Sequence, residues 1–411
     1  MAKNFVEFED ALSLALSIAK ATQPKEFISV EEAVGRVVAS DIVVAKNLPS
    51  FNNAALDGFA FRHSEKEHRL KVAKVVYAGD SIEPCLGECE CYKIMTGAKV
   101  PDDADTLVAI ENSIDFDGKE VSVPQDISKG FAIRLKGEEA NKGELLYSCG
   151  HEITNSDIAT FSSQGITHIE VYKALSIAVV STGSELKEPW EVANEDEIYN
   201  CNSLGVVSTL KSAKFEASYI KAIPDNLEDT IEFISTLKRY DVIITSGGIS
   251  MGDADFVAQA LEANGFEKLY DGVNIKPGKP MMVGSMGDTF VISLPGNPLT
   301  TLVNLNLFAM PILRKLQGHK NFYHNTQLAI NKGELKLKAK RVNIILGTLQ
   351  NGEFRATMGN KYGSGMITVV SKSNAMLVTS NTTTTVEDNS YVKVVEFGGG
   401  FVDTNGKIYN Q

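Results

Sequence analysis

The sequence has no run of about 18 apolar residues, which excludes a conventional transmembrane helix and argues against a membrane partner. The opening MAKNFVEFEDALSLALSIAKAT is interrupted by Glu7, Glu9 and Asp10, which does not suit a signal peptide. Phe8, Leu12, Leu14, Ala15 and Ile18 are spaced as on an amphipathic helix. Cysteine is scarce: five in 411 residues, an odd number that argues against a secreted disulfide scaffold and for a reducing cytosol. Cations are short as well. Forty Lys and Arg face 52 Asp and Glu, a net charge of -12, so nucleic acid is an unsuitable partner. An anionic ligand would need a local cluster of cations, backbone N–H groups or a metal ion. No internal repeat is visible, and no low-complexity segment beyond Thr382–Thr385.

What is present fits an ordinary globular composition: 43% apolar and 22% charged residues exclude disorder, collagen and coiled coil as the main class. At about 100–200 residues per domain, the length predicts two to four domains. Residues 1–26 read as helical, and Phe27–Val44 as strand, helix and strand within a linking region 27–60. Residues 61–136 form a small inserted β module, with alternating runs such as KVAKVVYAG. Helical character returns from Gly137 to Gln164 within 137–172, joining residues 1–26 in a helical N-terminal part. Over 173–318, buried-type strands (ALSIAVVS, DVIITS, TFVISL) alternate with helical patterns, which predicts a doubly wound, mostly parallel α/β domain. Residues 322–411 return to β, with Asn351-Gly352 as a hairpin turn. The expected fold is therefore multidomain α/β plus β, with the doubly wound domain at its centre.

Ligands of open α/β sheets bind beyond the carboxyl ends of the strands. Three strands here end in polar, Gly-rich turns: Thr182-Gly183-Ser184-Glu185, Ser246-Gly247-Gly248 running on through Ser250 to Asp255, and Pro295-Gly296-Asn297-Pro298 with Thr300. One such turn is ordinary punctuation; three in one domain point to a phosphate or nucleotide pocket. Glu185, Asp225 and Asp255 stand in or beside those turns and suit Mg²⁺, although Asp225 and Asp253 could equally cap the helices that follow. The stiff segment NIKPGKP carries Lys276 and Lys279 three residues apart, suited to a compact oxyanion. Cys85, Cys89 and Cys91 lack an evident fourth zinc ligand, and Trp190 reads as a loop anchor.

The sequence resembles the molybdopterin molybdenumtransferase family, related to the E domain of gephyrin. NAALDGFA, KIMTGAKVPDDAD, IRLKGEEANKGE, VSTGSEL, IYNCNSLGV, SGGISMGDADF, IKPGKP and LPGNP carry the resemblance, in order across nearly the whole chain. It implies insertion of molybdate into adenylylated molybdopterin with release of AMP, Mg²⁺ as cofactor, a homodimer, and contact with the upstream adenylylating enzyme. It further points to Asp57, Thr96, Glu185, Asp225, Asp255, Lys276, Lys279, Pro295 and Pro298, with Asp57 and Thr96 facing the pocket of the other subunit. The pattern departs at Gly272, where many relatives carry Lys or Arg, and at Leu346, where relatives often show Arg; Arg341 or Arg355 could substitute. The resemblance leaves two other functions open, the preceding adenylylation step and a non-catalytic scaffold.

Overall fold

The computed structural model describes residues 5–21, 23–183, 185–223, 226–248, 256–406 and 408. The chain forms two compact units, Asp41–Ser148 with Ala159–Thr167, and Met1–Ser40 with Cys149–Ile158 and His168–Gln411.

The smaller unit is built on a five-stranded sheet in the order Thr106–Ala109, Gly58–Phe61, Glu90–Ile94, Leu70–Val76, Glu120–Val121. Period-two alternation sends Phe59 and Phe61 to one face with Val108, and Ala60 to the other with Tyr92 and Leu107. The stretch predicted helical from Gly137 is instead turns and a short strand, Leu145–Tyr147, paired with Ile42–Val43. Gly137, Gly143 and Gly150 take φ values of 75°, 93° and 83°, which no right-handed helix accommodates. Only Asn155–Ser163 is helical. Burial pushes the Cys91 thiol up to about 12, and among the described residues no group of His, Cys, Asp or Glu is placed to hold a metal.

In the larger unit the first helix, Phe8–Ile18, buries Phe8, Ala11, Ala15 and Leu16. Leu14 and Ile18, expected on its apolar stripe, are exposed. The Phe8 ring meets Phe308 edge-on, with centroids 5.0 Å apart. The helix predicted within Phe27–Val44 is a single 3₁₀ turn, Val30–Glu32, followed at once by the left-handed Gly35.

The central sheet contains β1 (Ser176–Ser181), β2 (Glu216–Ala222), β3 (Val242–Ser246), β4 (Phe266–Asp271), β5 (Met282–Met286) and β6 (Thr289–Leu294), in the order β2-β1-β3-β6-β5-β4. The first four in that order run parallel, and β5 and β4 close the edge antiparallel. Both faces are covered. Ile177, Val179, Ile244 and Ile292 pack with Val206, Leu210 and Val303 on one side. Ala178, Val180, Ile243 and Val291 pack with Phe233, Ile234, Val257 and Leu261 on the other. This two-sided burial explains why the strands read as unbroken apolar runs.

The C-terminal domain is a closed five-stranded barrel in the order Val342–Gln350, Glu353–Ala356, Gln327–Asn331, Tyr391–Glu396, Ala375–Val378, returning to Val342–Gln350. Asn351 and Gly352 form its two-residue hairpin with φ values of 52° and 77°, as a primed turn requires. The short strand Ile275–Lys276 pairs with the first barrel strand, Ile275 opposite Val342, and so ties the lysine loop to the barrel.

Candidate active site

Ser181 at the end of β1 lies opposite Ser246 at the end of β3, and Ser246 lies opposite Leu294 at the end of β6. The three Gly-rich turns therefore leave the sheet at one level, spread over about 10 Å at normal strand spacing. With the lysine loop and one edge of the barrel they enclose a cavity of about 1080 Å³, room for a ligand of nucleotide size or larger. Thr182, Gly183, Glu185, Ser246, Gly247, Gly248, Lys276, Lys279, Pro295, Gly296, Asn297, Pro298 and Thr300 all line it. Asp225, Asp253, Asp255 and Ser250 lie outside the described residues.

Hydrogen bonds pin the turns to one another. The Thr182 N–H donates to the Ser246 carbonyl at 3.1 Å, and the Gly247 N–H to the Leu294 carbonyl at 3.1 Å. Both N–H groups are thereby used in assembling the loops and are not free for a ligand. A Cβ on Gly247 would sit 2.6 Å from the Thr182 hydroxyl, so only glycine allows this approach. The Thr300 hydroxyl donates to the Asn297 carbonyl at 2.8 Å within the first helical turn, and the residue is buried. The Asn297 side chain caps no helix; its Nδ2 donates to Ser364 Oγ at 3.1 Å, joining the third turn to the barrel domain. The helix after β2 is capped by Asn226, whose Oδ1 accepts from the Asp229 N–H at 2.9 Å, so the capping role considered for Asp225 is filled by its neighbour.

Asn202, at the start of the helix Asn202–Ser212, was not among the candidate residues. Its Nδ2 donates to Ser246 Oγ at 2.8 Å and to the Gly296 carbonyl at 2.7 Å, bridging the second and third turns. The signal was available in IYNCNSLGV, where a polar residue opens a helix directly after a short strand. Behind the first turn, Asn200 donates to Ser181 Oγ at 3.0 Å and to the Tyr219 hydroxyl at 3.1 Å, and that hydroxyl donates to Glu188. Burial and the Glu188 carboxylate push the Tyr219 phenol up to about 12, leaving it protonated.

Lys276 and Lys279 are exposed at the cavity wall, and the Lys279 ammonium lies over the Phe5 ring, 3.5 Å from its centroid. The barrel adds Arg341, Asn343, Asn360 and Tyr362 to the lining. Leu346 is fully buried in the core, while Arg355 pairs with Glu353 at 3.2 Å away from the cavity. Of the arginines considered as substitutes, Arg341 is thus the one at the site. Gly272, the other departure, has a φ of 108°, and a Cβ there would meet Phe5 at 2.5 Å.

Asp57 and Thr96 belong to the smaller unit, where the fold brings them together. Asp57 Oδ1 accepts from both the Thr96 N–H and the Thr96 hydroxyl, each at 2.7 Å. The backbone bond first, then the hydroxyl, hold the Asp57 carboxyl below its usual range, so it is ionised at neutral pH. Gly58 follows because a Cβ there would overlap the Val108 carbonyl at 1.9 Å.

A doubly wound domain with three pinned turns and a lysine loop is matched over residues 178–315 by the family described as a probable molybdopterin binding domain. Residues 6–165 match the MoeA N-terminal region (domain I and II), and 329–397 the MoeA C-terminal region (domain IV). The molybdopterin molybdenumtransferase of Haemophilus influenzae is 31% identical over 361 residues, covering 86% of this chain and 89% of that protein. The enzyme of the same name from Staphylococcus aureus is 29% identical over 73% of each chain. The crystal structure of the molybdopterin biosynthesis moeA protein from Pyrococcus horikoshii superposes with a TM-score of 0.83 at 26% identity, over 96% of this chain and all of that one. The chain belongs to the molybdopterin molybdenumtransferase family.

Proposed function

We propose that the protein inserts molybdate into adenylylated molybdopterin, releasing AMP and the molybdenum cofactor. The observation that carries this reading is the convergence of three strand-end turns and the Lys276–Lys279 loop on one cavity. Matches to the N-terminal and C-terminal regions as well as the central one support it over the preceding adenylylation step, and relatives named molybdopterin molybdenumtransferase support an enzyme. Molybdate is a tetrahedral dianion; Lys276, Lys279 and Arg341 offer it cations from two domains. The Gly-rich turns and Asn202 shape the part of the cavity that receives the pterin and phosphates.

Glu185, Asp225 and Asp255 are hard oxygen donors of the kind Mg²⁺ takes; Glu185, at the cavity beside Gly183, is the one described. A bound Mg²⁺ would polarise the phosphoanhydride that is cleaved. The enzyme acts as a cytosolic homodimer in this reading, and the Asp57–Thr96 pair of one copy completes the cavity of the other. Contact with the upstream adenylylating enzyme would deliver the substrate. The test is AMP release from adenylylated molybdopterin with and without molybdate: the expected result is molybdate-dependent release. Folded protein that binds the substrate yet releases no AMP at any molybdate concentration would sink the reading.

A further inference from the structure

The lysine loop is a hairpin closed at its base, where the Gly272 N–H donates to the Met281 carbonyl at 2.7 Å and the Val273 N–H to the Lys279 carbonyl at 2.9 Å. Its outer edge carries the segment Phe5–Glu7. The Val6 N–H donates to the Gly272 carbonyl at 3.2 Å, and the Asn274 N–H to the Val6 carbonyl at 2.8 Å. Glu7 anchors the segment further, accepting from Asn274 Nδ2 at 2.8 Å and Asn381 Nδ2 at 3.3 Å. With its backbone held this way, Phe5 lays its ring across Gly272, which has no side chain to exclude it. The opposite consequence falls on Lys279: its ammonium rests on that ring, 3.5 Å from the centroid, while the residue lines the cavity.

We propose that Phe5 is a positioning residue for oxyanion binding, its ring holding the Lys279 ammonium at the cavity wall. The proposal rests on the reading of Lys279 as a ligand of the oxyanion. A free lysine side chain loses rotamer entropy when it is fixed. A ring face that attracts the ammonium fixes it before the anion arrives, and the N–H groups turned away from the ring remain available as donors. Gly272 is part of the same device, because any side chain there would displace the ring.

The test measures molybdate and pterin binding separately by calorimetry on the full-length protein, for Phe5→Leu, Phe5→Trp and Lys279→Ala. Phe5→Leu keeps an apolar side chain and removes the π face. Expected are molybdate binding weakened about 3- to 10-fold in Phe5→Leu, restoration in Phe5→Trp, and pterin affinity unchanged in both. Molybdate binding that is unchanged or tighter in Phe5→Leu, while Lys279→Ala binds weakly, overturns the role of Phe5 and leaves the function intact. Equal losses for molybdate and pterin overturn it too, since that marks a structural residue. Normal molybdate binding by Lys279→Ala removes the oxyanion reading of the lysine itself, and the proposal with it.

Discussion

Among the described lining residues of the cavity the charges are few, which makes each one measurable. Replacing Lys276 by Ala removes one charge-assisted contact, worth roughly 1.5–3 kcal/mol or about 10–150-fold. Molybdate-dependent turnover should fall by that factor while pterin affinity holds; steady-state kinetics against molybdate check it. Asp57 allows a second test at this scale. Its carboxyl is held low chiefly by the Thr96 N–H and secondarily by the Thr96 hydroxyl. Thr96→Val removes only the hydroxyl, so the Asp57 pKa should rise while staying below the ordinary 3.8, as NMR titration would show. The sign for stability follows from a folded-state pKa below the unfolded one. The contribution is present above the unfolded value and lost as pH falls through the folded one. A Thr96→Val value at or above 3.8 would show that the backbone bond does not dominate.

At the scale of elements, the strands of the central sheet were legible because both faces are buried, so runs such as SIAVVS and VIITS contain hardly a polar interruption. The Gly-rich turns at their ends were legible for the same reason: punctuation stands out after an apolar run. How the turns hold one another was not legible. The use of the Thr182 and Gly247 N–H groups, and the bridge made by Asn202, depend on Ser181, Ser246 and Leu294 sharing one register across three strands far apart in sequence. The helix expected after Gly137 failed because polar composition alone does not reveal which glycines adopt positive φ. Two of the sheet domain's glycines separate strain from collision. Gly247 and Gly265 have φ of 88° and 86°, yet a Cβ at Gly265 meets nothing within 4 Å, whereas one at Gly247 meets Thr182. Gly265→Ala should cost about 1–2 kcal/mol from the left-handed backbone alone. Gly247→Ala should cost more, and should also weaken pterin binding by shifting the first turn. Denaturant midpoints and binding isotherms for the pair decide this; equal stability losses with normal binding would mean that the close approach of the two turns is dispensable.

At the scale of the whole molecule the question is where Asp57 acts. The Asp57–Thr96 pair is exposed and rigidly bonded, in a loop flanked by the half-exposed Leu56. The ionised carboxylate of Asp57 ties its loop to that of Thr96 and stands at the surface of the smaller unit. The cavity of the larger unit, for its part, contains cations and turns but among its described lining residues only Glu185 as an acid. If the pair from one copy completes the cavity of a second, Asp57→Ala and Lys276→Ala enzymes should each be strongly impaired alone. Mixed and allowed to exchange subunits, they should regain activity, because a heterodimer then has one site with both residues intact. Random exchange makes half the dimers mixed, with one good site of two, so recovery should approach about one quarter of the unsubstituted enzyme. Native mass spectrometry would confirm the exchange. Without any recovery despite demonstrated mixing, Asp57 and Lys276 must serve the same chain, and the shared site is wrong.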